Sequence, residues 1–327
     1  MNGFSDFEGQ SAHIGRLRRE FAGHAFSHAY LFAGPAGTGK KSVAQLCAMA
    51  ALCRGENAPC GVCGPCRRVL AGTHPDVHIV EPEAGKRDIG VGVMRKVLEE
   101  VSVRSFEGGT KVFLIPQADR MNPQAQNALL KTLEEPPENT VFLLVTDKPS
   151  ALLSTVASRV RLIRFHPLTA EAAQRRLVAL GMPQERARVA AAMSEGCVGQ
   201  ALTVGEETLQ ARRELTGRIF GVRRAADIPA VTALYKDEKL DKQAVLTELE
   251  SAVRDILAAQ ATGSPLEAAA NAPEAQAYAS SVPLEGGIRL MDAVIRGRMM
   301  LESYVSFVSI LEMILLQLSE EYQKWPW

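Results

Sequence analysis

The stretch AYLFAGPAGTGKKSVA, from Ala29 to Ala44, runs from an apolar segment through a glycine-rich loop into a helical pattern. A strand followed by Gly-x-x-x-x-Gly-Lys and a helix is the context of a phosphate-binding loop, where backbone N–H groups and the helix N-terminus hold phosphates. Lys40 would reach the outer phosphates; a glycine turn without a ligand is the alternative. The predicted nucleotide-binding loop comprises Gly34, Pro35, Ala36, Gly37, Thr38, Gly39 and Lys40.

Lys41 departs from this pattern. Ser or Thr is expected after the loop lysine, because its hydroxyl helps to hold Mg²⁺, and an ammonium group would repel the metal instead. Ser42 lies one residue further along, about 100° round the helix, and is not placed to substitute. The sequence therefore predicts that ATP or ADP binds weakly or not at all.

Five short apolar segments within residues 1–167 predict strands: HAYLFA, DVHIVEP, KVFLIPQ, TVFLLVT and RLIRF. Two-sided apolar strands separated by helical stretches favour a five-stranded parallel sheet with helices on both faces. Strand patterns then stop. Residues 168–205 predict a small helical lid, and residues 206–327 predict an all-helical domain in which the Ala-, Ser-, Pro- and Gly-rich segment 259–287 is a mobile excursion.

The third strand ends without the acidic pair that ATP hydrolysis needs. Pro116 and Gln117 stand where an Asp would hold Mg²⁺ and a Glu would activate water, and neither residue can carry that charge. Asp119 lies beyond the strand and is interpreted as a helix cap or a surface acid. The sequence therefore predicts a site that hydrolyses ATP poorly.

Four cysteines follow the predicted helix after the glycine loop, with the spacing C-x6-C-x2-C-x2-C. Thiolates at such short intervals can close a tetrahedral Zn²⁺ site, and four sulfur ligands leave no open position for catalysis. Four free thiols are the alternative, and His74 is a weaker rival ligand. We therefore predict a structural zinc module within residues 53–66, with Cys53, Cys60, Cys63 and Cys66 as ligands.

The charge and hydropathy patterns exclude several classes of protein. The 37 basic and 37 acidic residues balance, so the overall field does not recruit nucleic acid. The N-terminal MNGFSDFEGQ lacks the pattern of a signal peptide, and the apolar run 305–318 is too short to span a bilayer. We expect a cytoplasmic protein without membrane contact.

Four features together resemble a known family: the glycine loop, the cysteine cluster followed by GTHPD, NALLKTLEEPP (127–137) and TVASR (155–159). They are similar to subunits of the bacterial DNA polymerase III clamp loader, an AAA+ assembly, over about residues 5–205. The resemblance implies partnership with gamma/tau and delta subunits and with the sliding clamp during replication. Primed DNA would be met mainly through the assembly, and the C-terminal helices would form the collar of the ring.

The family contains ATP-hydrolysing subunits and a type of subunit whose own ATPase function is weak or absent. This chain resembles the second type, because Lys41, Pro116 and Gln117 replace residues that hydrolysis uses. In the lid, Gly199 aligns with the family's arginine, and a shift by one residue would place Gln200 there. Neither residue is basic.

Ser158 and Arg159 resemble the Ser-Arg-Cys motif of the family, with Val160 in place of Cys. The resemblance implies that Arg159 is an arginine finger that reaches the ATP of a neighbouring subunit. Pairing of Arg159 with a local acid is the alternative from the residues alone.

Thr146 corresponds to the first sensor of the family, at the end of the fourth strand. Its sensing role is doubtful where metal ligands are missing. LEEPP is interpreted as architectural, because Pro136 and Pro137 end a helix and Glu134 and Glu135 need not be catalytic.

Two other functions stay open at this point. A self-sufficient ATPase, such as a divergent gamma-type subunit, would have to obtain its missing charges from Asp119 or from a partner. A zinc-dependent DNA-binding module would use Arg54, Arg67 and Arg68, but the cysteine loop has no aromatic residue for base stacking.

Overall fold

The computed structural model describes residues 3–4, 7, 11–237, 240–263 and 272–325. The chain divides into two compact units. The first contains the residues up to Arg176 together with Gly196–Gln200, and the second contains Leu177–Glu195 and the residues from Ala201 onwards. In the ranges described, no helix is both long and apolar enough to cross a bilayer.

The first unit is built on a parallel sheet that confirms the five predicted strands. Neighbouring strands follow the order β2-β3-β4-β1-β5, and every pair is parallel. Because the strands run in one direction, the carboxyl ends of β1, β3 and β4 meet at one edge, where ligands of open α/β sheets bind. The strands are β1 (Ala29–Ala33), β2 (Val77–Ile79), β3 (Lys111–Ile115), β4 (Thr140–Thr146) and β5 (Arg161–Arg164).

Helices cover both faces of this sheet. Tyr30 and Phe32 of β1 enter one apolar core, while Ala29 and Leu31 enter the other, since alternate side chains of a strand point to opposite faces. The helices of this unit are α1 (Ser11–Ala22), α2 (Lys40–Leu52), α3 (Gly64–Leu70), α4 (Val91–Ser102), α5 (Pro123–Glu134) and α6 (Ser154–Ala157).

Three short helices follow and are divided between the two units: α7 (Ala170–Ala179), α8 (Gln184–Met193) and α9 (Val198–Ala201). The proposed lid and collar boundaries, at residues 168 and 206, stay predictions. The remaining helices all belong to the second unit: α10 (Glu206–Phe220), α11 (Ile228–Thr232), α12 (Lys242–Thr262), α13 (Pro273–Ser281), α14 (Leu284–Glu302) and α15 (Phe307–Lys324).

In the segment 259–287, residues 259–262, 273–281 and 284–287 are helical, so the prediction of a mobile excursion is wrong for those parts. Residues 264–271 lie outside the described residues. Tyr278 of α13 is completely buried and meets the rings of Phe220 and Tyr322 edge-on. One large aromatic side chain anchors an otherwise small-residue helix.

An ion pair between a partly exposed arginine and a buried carboxylate joins α14 to α15. Glu321 has no exposed side-chain surface, and Arg289 donates to both of its carboxylate oxygens, with distances of 2.9 Å from Nε to Oε1 and 2.6 Å from Nη2 to Oε2. Gln317 adds a third bond at 2.9 Å. The hydrogen bonds from Arg289 lower the pKa of Glu321, so the fold stabilises the ionised carboxylate.

We expect Glu321→Ala to lower the free energy of unfolding by about 1–3 kcal/mol near neutral pH, because it removes the charge-assisted hydrogen bonds from Arg289, whose guanidinium is partly exposed and can then be hydrated. The folded-state pKa of Glu321 is depressed, so this contribution is present above the unfolded pKa and is lost as pH falls through the folded value. Urea unfolding at about pH 7 and about pH 4 should show the difference between wild type and variant shrinking at the lower pH. Glu320→Ala, on the exposed side of α15, is the control; an equal Glu321→Ala deficit at both pH values would contradict the argument.

Candidate functional site

The glycine loop connects β1 to α2 as predicted, and its lysine is held by groups of the same chain. Lys40 is 4% exposed. Its Nζ lies 2.8 Å from Asp147 Oδ1, donates to the carbonyl oxygen of Pro35 at 2.5 Å and lies 3.4 Å from Thr38 Oγ1. The cation that would reach phosphates is therefore already neutralised and hydrogen-bonded within the loop region.

A second segment of the first unit, Gly196–Gln200, lies against this loop. The N–H of Gly199 donates to the carbonyl oxygen of Gly37 at 2.8 Å, and Gln200 Nε2 donates to the carbonyl oxygen of Ala36 at 3.1 Å. A Cβ atom on residue 199 would stand 2.9 Å from the Cα of Gly37, closer than real side chains approach. Only glycine permits this contact, so the lid arginine of the family has no room at position 199.

The carboxyl edge of the sheet brings Thr146 close to the loop. Thr146 is buried; its hydroxyl donates to Asp119 Oδ1 at 2.9 Å and accepts from the N–H of Lys148 at 3.0 Å. Asp119 lies within the short 3-10 helix Ala118–Arg120 and caps no helix there, so that part of its interpretation is wrong; its half-buried carboxylate contacts Thr146 instead. Pro116 and Gln117 directly follow β3 at the same edge, so the two positions expected to be acidic carry no charge.

Lys41, which occupies the position of the magnesium-binding hydroxyl, is exposed. Together with Gln45, His74 and other residues of α2, α3, β2 and β3, it lines a cavity of about 90 Å³. Lys41 thus belongs to a surface beside α2 and offers no hydroxyl group for a metal ion.

The four predicted cysteine ligands come together at the opposite end of α2, about 20 Å from Lys40 for a helix of this length. Their sulfur atoms all lie within 4.8 Å of one another, and the sulfurs of Cys53 and Cys63 are 3.9 Å apart. Tetrahedral Zn–S bonds of 2.3 Å place sulfurs about 3.8 Å apart. The cluster therefore fits a zinc ion with ligands Cys53, Cys60, Cys63 and Cys66.

Local hydrogen bonds and burial act differently on these thiols. Backbone N–H groups of Val62 and Cys63 lower the pKa of Cys60 to about 6. Burial raises the pKa of Cys53 and that of Cys66. A bound cation would supply the positive charge that keeps all four sulfurs as thiolates.

Two acidic residues that the sequence did not single out hold the cysteine module to the sheet. Glu107 pairs with Arg54 at 2.9 Å and also with Arg68; the two arginines follow the first and the last of the four cysteines. The backbone N–H of Glu107 in turn donates to the buried Asp76 at 3.0 Å. His74 accepts from the N–H of Asp76 at 3.2 Å through Nδ1 and is not one of the four clustered ligands. No local pattern marks Glu107, because it lies in a loop far along the chain from the cysteines.

Arg159 follows α6, and its side chain is 35% exposed. Its Nη1 donates to the carbonyl oxygen of Thr155 at 2.9 Å and to Ser158 Oγ at 3.3 Å. Its Nη2 lies 2.6 Å from Glu134 Oε1. The local acid considered from the sequence is therefore present, while part of the guanidinium faces solvent.

The first unit is similar in sequence to proteins of known families. Residues 9–169 match the family described as DNA polymerase III, delta subunit. The chain is 39% identical over 169 residues to the DNA polymerase III subunit delta prime of Bacillus subtilis, covering 51% of each chain. It is also 39% identical over 214 residues to the delta prime subunit of Pseudomonas aeruginosa, covering 65% of this chain and 62% of that one.

A tau subunit is also related: that of Bacillus subtilis is 32% identical over 241 residues, covering 71% of this chain and 42% of that one. The matched region thus spans 51% and 62% of the lengths of these two delta prime relatives. The sheet order and the glycine loop after β1 define a parallel α/β domain with helices on both faces of its sheet. The chain is similar to DNA polymerase III delta prime subunits over these regions, and also to a tau subunit.

Proposed function

We propose that this chain works as a delta prime subunit of a bacterial clamp loader in the cytoplasm. It joins gamma/tau and delta subunits in a ring that opens the sliding clamp and places it on primed DNA. Residues 1–167 form its AAA+ domain, residues 168–205 its lid and residues 206–327 its collar. Similarity to delta prime subunits and to a tau subunit supports this assignment.

The main support for the proposal is that groups of the same chain hold the side chain of Lys40. A lysine that binds ATP phosphates must offer its charge to them, but here Asp147 and Pro35 hold it. Gly199 lies directly on the loop, and no acidic pair ends β3. The chain's own site therefore binds ATP or ADP weakly at most and does not hydrolyse ATP.

Arg159 is the catalytic contribution of the chain in this proposal. A guanidinium that projects into the ATP site of an adjoining subunit stabilises the charge that develops on the transferred phosphoryl group. The partial exposure of Arg159 supports this role, since a fully buried arginine would not reach a second subunit. The zinc ion of the cysteine module is structural, because four sulfur ligands leave no position for a substrate.

ATP turnover of the purified chain, alone and assembled with gamma/tau and delta subunits from the same bacterium, tests the proposal. We expect no turnover by the chain alone. In the assembly, Lys40→Ala should leave turnover within about twofold of wild type, because Lys40 contacts no nucleotide there. The control is alanine at the loop lysine of gamma/tau, which should abolish turnover.

The opposite result identifies the remaining alternative, which the contact between Asp119 and Thr146 favours. Should the chain alone turn over ATP, and should Lys40→Ala and Asp119→Asn each abolish that activity, the protein is a self-sufficient ATPase. Asp119 would then supply the missing charge at the sheet edge.

A further inference from the structure

Arg159 can act on a neighbouring subunit only if its long side chain is held in a usable position. An arginine side chain has many rotamers, and restricting it to one of them at the moment of reaction would raise the free-energy barrier to ATP hydrolysis. Among the described residues, the oxygens of Thr155, Ser158 and Glu134 take three of its five N–H donors. The guanidinium is thus restrained along one side and keeps donors for an incoming phosphate.

Of these three acceptors, only Glu134 carries a charge and comes from another helix. Glu134 is the last residue of α5. The helix ends there because Pro136 follows two residues later and disfavours the helical conformation of the residue before it; Glu135 has left helical geometry, with φ −121° and ψ 71°. The LEEPP motif therefore fixes where the carboxylate of Glu134 stands.

A buried side chain fixes α5 relative to the segment that carries Arg159. Gln126 is 1% exposed. Its Oε1 accepts from the N–H of Leu153 at 2.7 Å, and its Nε2 donates to the carbonyl oxygen of Ala151 at 3.2 Å. Both partners immediately precede α6, so the distance between Glu134 and Arg159 is set by the fold and does not rest on the exposed ion pair.

We propose that Glu134 is the positioning residue of Arg159: its carboxylate holds the guanidinium ready for the ATP of the adjoining subunit. This inference rests on the proposed trans action of Arg159. An exposed ion pair contributes little to the stability of a fold, so the value of this contact lies in the orientation of the arginine. Glu135, next in the chain, has an exposed side chain and provides a matched comparison.

A double-mutant cycle in the reconstituted loader tests the proposal, with ATP turnover measured over a range of ATP concentrations. We expect Glu134→Ala to slow single-turnover hydrolysis at the site that Arg159 serves about 5- to 10-fold, as the loss of one charge-assisted hydrogen bond predicts, with the ATP concentration that gives half of the maximal rate within about twofold of wild type. Glu134→Gln still offers an oxygen to Nη2 and should recover part of the loss. The variant Glu134→Ala/Arg159→Ala should be no slower than Arg159→Ala, and Glu135→Ala should match wild type.

Each outcome separates this inference from the function on which it rests. If Arg159→Ala slows turnover but Glu134→Ala does not, the positioning role is overturned and the trans finger stands. If the two losses multiply in the double variant, Glu134 acts elsewhere and the positioning role is again overturned. If Arg159→Ala has no effect, the proposed function itself fails. Thermal melting and gel filtration check folding and assembly, and Glu134→Gln carries the test if Glu134→Ala does not assemble.

Discussion

Replacing Arg159 with alanine is expected to slow ATP hydrolysis about 10³-fold or more at the subunit site that Arg159 serves, the low end of what arginine fingers contribute. The variant removes the guanidinium but leaves β5 and the buried Val160 in place, so folding and assembly should be unaffected. Turnover of the whole loader falls by the share of hydrolysis that depends on that site. Single-turnover measurements with an excess of loader over ATP should resolve this fraction as a slow phase.

Two further variants test whether the rate depends on the guanidinium group of Arg159 itself. Arg159→Lys keeps the positive charge but loses the planar fork, so it should recover only a small part of the rate. Arg164→Ala removes an exposed arginine from β5, five positions along the chain, and should leave the rate at the wild-type level. Equal rates of ATP hydrolysis for wild type and Arg159→Ala would contradict the proposed role of Arg159 as an arginine finger.

The sheet could be predicted from the sequence because its strands are nearly continuous apolar runs. β1, β3 and β4 are buried along their whole length, and a strand buried on both faces has no need of polar residues. The cysteine module could be predicted for a similar reason, because all four ligands lie within a short stretch. Both features could be predicted because the residues that form each of them are close together in the sequence.

The contacts that set the site's chemistry could not be predicted in this way. Asp147 neutralises Lys40 from the end of another strand, and Glu107 bridges two arginines of the cysteine module from a loop that follows α4. Each contact depends on how the sheet brings loops together, and no residue nearby in sequence signals it. The loss of arginine at Gly199 was predicted from resemblance, but its physical cause, contact with Gly37, needed coordinates.

Composition misled the prediction for part of the second unit. The segment 259–287 has few large apolar residues, which is typical of mobile segments. Ala275 and Tyr278 are nevertheless fully buried in its core. Small side chains allow helices to approach closely, and one aromatic ring then fills the space between them. A count of large residues therefore underestimates how much of such a helix is buried.

The proposed zinc ion has the largest expected effect on the fold. Structural zinc contributes about 10–16 kcal/mol of apparent binding free energy in zinc-finger peptides, where it drives folding. Here the sheet and its two cores fold on their own apolar surface, so zinc removal should unfold the cysteine module locally. Cys53 and Cys66 are buried beside the first core, and loss of the module would expose part of that surface.

Chelation should therefore release about one zinc ion per chain and lower the melting temperature, and the four thiols of Cys53, Cys60, Cys63 and Cys66 should become reactive together. Metal content, thermal melting and thiol titration measure these effects. Cys66→Ser should reproduce them without chelator, because it removes a buried ligand. Cys47→Ala is the control: Cys47 is buried within α2, so its loss should leave the zinc content at one per chain. A wild-type protein that binds no zinc would show that the cluster consists of free thiols. A Cys66→Ser variant that binds as much zinc as wild type would show that Cys66 is not a ligand, because a four-sulfur site cannot lose a ligand without weakening its hold on the metal.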